Sequence, residues 1–194
     1  MKKTLVVVMI MLLAVGGSAF AQMSGYGAKV GLGYNMAGGE DSDGIDPGIG
    51  FAVGGFVDYG FSEMIGLTGG LQYLSRSYSS ENPVGDDITT TYSYISIPID
   101  LTYKIEMEGD MMPWAFIGPE FGFLMGADSD GTDVSDFTSG MDMGLNIGAG
   151  MAFTPQWAVD LRYYYGLTSI DDSGADLDIK HGGIMFGVRY NFMK

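Results

Sequence analysis

Apolar and non-apolar residues alternate one for one through most of this chain. Eight segments show the pattern: Tyr26–Met36, Ile49–Tyr59, Ile65–Arg76, Tyr92–Ile105, Ala115–Met125, Met141–Phe153, Trp157–Leu167 and Gly183–Phe192. In the last, Ile184, Phe186, Val188, Tyr190 and Phe192 share one face, and Gly183, Met185, Gly187, Arg189 and Asn191 share the other. A period of two is the signature of an extended strand and is incompatible with an amphipathic helix. The segments are long for soluble strands, which average about 5–6 residues. They suit strands that cross a bilayer at a tilt, which need about 9–11.

The two faces differ in a way that assigns inside and outside. One is large and greasy throughout, as in Ile95, Ile97, Ile99, Leu101, Tyr103 and Ile105. The other is built of glycine and isolated charges: Lys29, Arg76, Lys104, Arg162 and Arg189 against Asp58, Asp100, Glu120, Asp142 and Asp160. A soluble carrier barrel, the rival reading, buries its apolar face and wets the other; a membrane barrel does the reverse. Small residues cannot fill a soluble core, but they leave room in a narrow bore for long polar chains. The ten charges are therefore expected to form a pairing network in the lumen. Lipid offers no partner to an open sheet edge, so the sheet must close. The expected fold is all-β: an eight-stranded antiparallel up-and-down transmembrane β-barrel with a polar, filled lumen. Pro98 and Pro119 lie inside the fourth and fifth segments and each removes a ladder donor, so a bulge or local break is expected at each. Leu145→Arg is expected to be costly on the lipid face and Asn146→Arg milder in the lumen.

The beginning of the chain reads as an export signal. Lys2 and Lys3 precede an apolar run from Leu5 to Val15, and Ala19-Phe20-Ala21 is a small-x-small cleavage site. Residues 1–21 are expected to be removed, leaving 22–194 as one barrel domain. The chain has no Cys, which excludes a lipid-modified N-terminus, a disulfide framework and a thiol nucleophile. Its formal charge of −15 excludes nucleic acid as a partner.

The connections alternate in length. Those at 60–64, 106–114 and 154–156 are short; those at 37–48, 77–91, 126–140 and 168–182 are long. Short inner turns and long outer loops are the usual asymmetry of such barrels. The long loops carry 15 acids against the single Lys180, so the outer rim is expected to be anionic. Two of them share a pattern, Asp41-Ser42-Asp43-Gly44-Ile45-Asp46 and Asp128-Ser129-Asp130-Gly131-Thr132-Asp133. Alternate carboxylates around a glycine turn are how short loops wrap Ca²⁺, and Asp41, Asp43, Asp46, Asp128, Asp130 and Asp133 are candidate weak ligands. The same residues also make ordinary soluble turns. No other cofactor is expected.

The chain resembles the PorT-like outer-membrane β-barrel family of small OmpA/OmpX-like eight-stranded barrels. The resemblance rests on Gly27-Ala28-Lys29-Val30-Gly31-Leu32, Tyr94-Ile95-Ser96-Ile97-Pro98-Ile99, Gly118-Pro119-Glu120-Phe121-Gly122, Gly144-Leu145-Asn146-Ile147-Gly148-Ala149-Gly150 and Arg162-Tyr163-Tyr164-Tyr165-Gly166-Leu167. It implies a Gram-negative outer membrane location, makes both prolines family features, and implies little about activity. The last aromatic, Phe192, is followed by Met193 and Lys194, whereas assembly signals of such barrels usually end on the aromatic residue. The expected partners are outer-membrane lipid and lipopolysaccharide and the barrel-assembly machinery, with the barrel itself a monomer.

Three functions compete. The first is a structural or interaction protein that presents acidic loops, with no catalysis. The second is a narrow cation-preferring pore. The third is a surface enzyme, which would have to use the only histidine, His181; its neighbours in the sequence make it read as a surface residue of the last loop.

Overall fold

A computed structural model of the chain describes residues 22–80, 85, 87–109, 111–175 and 177–193. Residues 1–21, the expected export signal, lie outside them, as do Glu81, Asp86 and Asp176 of the acidic loops. The strands are β1 (Gln22–Gly38), β2 (Ile45–Gly60), β3 (Ile65–Ser80), β4 (Ile88–Lys104), β5 (Met112–Ser129), β6 (Thr132–Asp133), β7 (Met141–Ala152), β8 (Trp157–Gly166) and β9 (Lys180–Asn191). The two residues of β6 pair only with the tip of β5. The other eight form one antiparallel sheet in chain order, and β1 closes it on β9 from Gly27↔Asn191 to Gly38↔Lys180. Closure pairs every strand on both sides, as hydrocarbon surroundings demand.

Several strands outrun the alternating segments. β3 continues to Ser80, β4 begins at Ile88 and β5 reaches Ser129. Beyond the lipid the outward face need not be apolar, so the period fades while the ladder continues. Hydroxyl pairs take over there: Ser77 with Thr91 at 2.9 Å and Thr90 with Ser129 at 3.0 Å.

The two prolines produce breaks. Pairing of β3 with β4 lapses where Gly70 and Leu71 face Ile97 and Pro98, and pairing of β4 with β5 lapses where Ile99 and Asp100 face Gly118 and Pro119. The register is the same on either side of each gap, so neither is a bulge. Gly70 makes the space for the ring, since a Cβ there would stand 3.0 Å from Pro98 Cγ. The bulge in this region lies further up, between Ser93 and Tyr94, where β5 carries the extra residue.

Side chains sort by parity. On β1, Tyr26, Val30, Leu32 and Tyr34 face outward, Leu32 with 68% of its surface exposed, while Gly25, Gly27 and Asn35 are buried. Ile49 on β2 is 74% exposed. Tyrosines bound this apolar band of β1, and Trp157 and Tyr165 do the same on β8. Tyr26, Phe192, Tyr190 and Trp157 touch ring to ring at the short-turn end, with centroids 4.8–5.8 Å apart. Apolar bands edged by aromatic rings are how barrels meet the two interfaces of a bilayer.

Candidate functional site

The lumen is filled by three guanidinium groups stacked along the axis, each paired with carboxylate and each lying against an aromatic ring. Nearest the short-turn end, Arg189 of β9 donates to both oxygens of Asp58 on β2, at 3.0 and 3.1 Å, and Asp58 also accepts from Thr68 Oγ1 at 2.6 Å. The Arg189 guanidinium is 3.9 Å from the Phe56 centroid and 5.5 Å from that of Trp114. Below it opens a vestibule of about 170 Å³, with Lys104 and Gln156 on its wall.

The middle level belongs to Arg162 of β8. Its Nη2 lies 2.8 Å from Asp100 Oδ2, its Nη1 lies 3.6 Å from Glu120 Oε2, and its Cζ lies 4.8 Å from the Phe116 ring centroid. Lys29 and Asp160 border the same small void, of about 10 Å³, as Asp100 and Arg162. Among the described residues Lys29, Lys104 and Asp160 make no ion pair within 4.0 Å.

Glu120 of β5 links the middle level to the upper one. Its Oε1 accepts from Ser96 Oγ at 2.7 Å and its Oε2 from Asn146 Nδ2 at 2.8 Å, while Ser96 accepts from Gln72 at 3.1 Å. Above, Arg76 of β3 meets Asp142 of β7 at 2.9 Å and lies 3.9 Å from Glu120. It covers the Tyr164 ring at 3.9 Å, and the Tyr164 hydroxyl donates to Asp142 at 2.7 Å. Buried charges are costly unless paired and hydrogen-bonded; this arrangement pairs them, and leaves Asp100 Oδ1, Asn146 Oδ1 and Arg162 Nη1 without a hydrogen-bond partner.

Glycine provides sockets for these rings as well as room for charges. A Cβ on Gly144 would strike Tyr164, one on Gly148 would strike Phe116, and one on Gly150 would strike Trp114. The lumen face is therefore glycine, charge and aromatic ring together, and reading it as glycine and charge alone overlooked Phe56, Trp114, Phe116 and Tyr94. Their shared parity with the charged residues is a signal the sequence does contain. The expectation that Asn146→Arg is mild also needs correcting. Asn146 has no exposed surface, it bonds Glu120, and the adjoining void is about 20 Å³. An arginine there overfills the bore beside two existing guanidinium groups.

His181 is not a surface residue. It is 1% exposed, on the inward face of β9, above Arg76. Tyr78 Oη lies 2.7 Å from its Nδ1 and Tyr94 Oη 2.9 Å from its Nε2. Tyr78 stacks flat on the imidazole and Tyr92 meets it edge-on. A neutral imidazole donates at one nitrogen and accepts at the other, so one phenol accepts and the other donates. Both nitrogens are thereby occupied by phenols, an arrangement unlike the acid–histidine–nucleophile chain of a triad.

The candidate Ca²⁺ residues lie in the long-loop turns and at the strand ends beside them, where several bind backbone. Asp128 accepts from Gly131 N at 2.9 Å, Asp130 from Thr89 N at 3.1 Å, Asp133 from Ser135 N at 2.9 Å and Asp41 from Asp178 N at 2.8 Å. Asp43 and Asp46 stand in the first loop and at the start of β2. Among the described residues no three acidic or histidine side chains converge as a metal site. Hydrogen bonding to Ser135 holds the Asp133 carboxyl below its usual range.

The chain is similar to several solved structures, of which the first superposes well enough to share the fold. Neisserial surface protein A has 18% identity to this chain, covers 88% of it and 99% of its own length, and superposes with a TM-score of 0.57. Ail, the attachment invasion locus protein of Yersinia pestis, has 22% identity over 88% of this chain and 100% of its own, with a TM-score of 0.45. Outer membrane protein W of E. coli has 14% identity over 88% and 100%, with a TM-score of 0.39. No curated sequence matches the chain. The family described as Outer membrane protein beta-barrel domain matches residues 20–172. Closed sheet, lipid-facing exterior and family match agree: this chain is an outer-membrane β-barrel protein of the outer membrane protein beta-barrel domain family.

Proposed function

We propose that this protein is a non-conducting, non-catalytic barrel of the PorT-like type, which anchors acidic loops at the outer surface of the outer membrane. The observation that carries the reading is the closed bore. Between the vestibule at one end and the loop cavity at the other, the voids along the axis measure only about 20 and 10 Å³. A single water needs about 10–15 Å³, so a hydrated ion has no path. The clamp of two phenols on His181 favours structure over catalysis. The long loops face outward by the usual asymmetry, and their acids suit partners that carry cationic groups or divalent-bridged lipopolysaccharide. Insertion by the barrel-assembly machinery and function as a monomer complete the proposal.

Planar-bilayer recording of the purified protein tests it. No ohmic steps are expected. Steady, cation-selective steps would establish the narrow pore instead.

A further inference from the structure

At the long-loop end, above the His181 clamp, lies a cavity of about 130 Å³. Tyr78 and Tyr92 form its floor, with their rings at 68° to one another. Ile170, Ile179 and Phe137 supply apolar wall, and Asp171 brings a carboxylate. The roof is built from two loops tied by backbone. Ser139 N donates to Ile170 O at 2.8 Å, Asp172 N to Phe137 O at 3.0 Å, and Thr138 bridges Asp171. Ile170 and Thr138 are buried as a result. A cavity of about 150 Å³ admits a benzene ring, so this one, which opens toward the loops and carries hydroxyls beside its rings, has the volume for a six-membered ring with a polar head.

The charge of the ligand follows from the groups around the cavity. Arg76, beneath the floor, is neutralised by Asp142 and Glu120. Lys180 is held by Asp178. Among the described residues Asp171 has no cationic partner within 4.0 Å: its carboxylate accepts only from its own loop, from Ser173 and, at 3.4 Å, from Leu177 N. A metal ion would need several oxygen ligands, carboxylates above all, and finds a single carboxylate among rings and the neutral hydroxyls of Ser79, Ser80, Thr90 and Thr138. An organic ammonium fits both parts of the lining, since aromatic faces and a carboxylate each attract it. We propose that this cavity is a binding site for a small organic ammonium ion, with Tyr78, Tyr92 and Phe137 receiving the apolar body and Asp171 the charged head.

The test uses the full barrel in nanodiscs of zwitterionic lipid, titrated with benzylammonium, benzyl alcohol and benzoate and read by calorimetry and saturation-transfer NMR. Benzylammonium is expected to bind about tenfold more tightly than benzyl alcohol, and benzoate not at all. Asp171→Asn is expected to reduce benzylammonium to the level of the alcohol, and Tyr92→Leu to weaken both. Heat-modified gel migration shows whether each variant keeps its barrel. Equal affinity for the three probes, binding of none of them, or an Asp171→Asn barrel that binds benzylammonium as before overturns the proposal.

Discussion

Arg76 and Asp142, 66 positions apart in the chain, meet at 2.9 Å across the barrel, both buried. The pair ties β3 to β7, strands that are not neighbours in the sheet, and so braces the bore from within.

Bracing of this kind has an asymmetric energetic signature. Removing one partner leaves a buried charge uncompensated and costs about 3–5 kcal/mol, whereas replacing both with apolar groups of similar volume is often close to neutral. Arg76→Met alone and Asp142→Leu alone are each expected to destabilise the barrel strongly, and the double variant less than their sum. Equilibrium urea unfolding in lipid vesicles measures all three.

Leu145 faces outward from β7, with 38% of its surface exposed. Leu145→Arg places a guanidinium on the lipid face, where the cost is about 2–4 kcal/mol at the midplane and falls toward the interfaces; Leu145 pairs with Tyr165 at the edge of the band, so the lower part of that range or a defect in insertion is expected. Asn146→Ala, one residue away, removes a bond to buried Glu120 and is expected to cost about 1–3 kcal/mol without impairing insertion. The fraction of protein showing heat-modified migration separates the two effects.

Gly144 is the socket for the Tyr164 ring. Gly144→Val forces that ring off its hydrogen bond to Asp142 and out from under Arg76. Overpacking of this sort costs about 1–3 kcal/mol. Pairing it with Tyr164→Ala, which empties the socket, is expected to recover part of the loss in the same unfolding assay.

In the last loop, a hydrogen bond from Lys180 Nζ at 2.9 Å holds the Asp178 carboxyl below its usual 3.8. An acid whose pKa is lower folded than unfolded stabilises the fold above its unfolded value, and that contribution disappears as pH falls through the folded value. The tie is therefore expected to hold at neutral pH and to loosen below about pH 3.8. NMR titration of the Asp178 carboxyl is expected to show a depressed midpoint that Lys180→Met returns upward. An unchanged midpoint in that variant would show that the lysine does not set it.

Parity in the chain was enough to reach Arg76, Asp142 and the other lumen charges, because in a closed sheet every second residue must face the axis. It also contained His181, which shares odd numbering with Met185, Gly187 and Arg189 on β9. The position of His181 beside the acidic residues of the last loop makes it read as a surface residue. The strand in fact continues past the lipid, where the outward face is no longer required to be apolar and the alternation loses contrast. The strand ends Ser77–Ser80 and Ile88–Thr91 were hidden for the same reason.

Which charge meets which was beyond the sequence. Arg162 has Asp160 two residues away on its own strand and face, yet it hydrogen-bonds Asp100 on β4 and ion-pairs at 3.6 Å with Glu120 on β5. Strand alternation, loop length and the acidic loops follow from local chemistry, since each depends only on a residue and its near neighbours in a known solvent. Partner choice in the bore, the ring sockets of β7 and the cavity over His181 depend on the stagger of eight strands around a common axis, and that distance relation exists only once the sheet has closed.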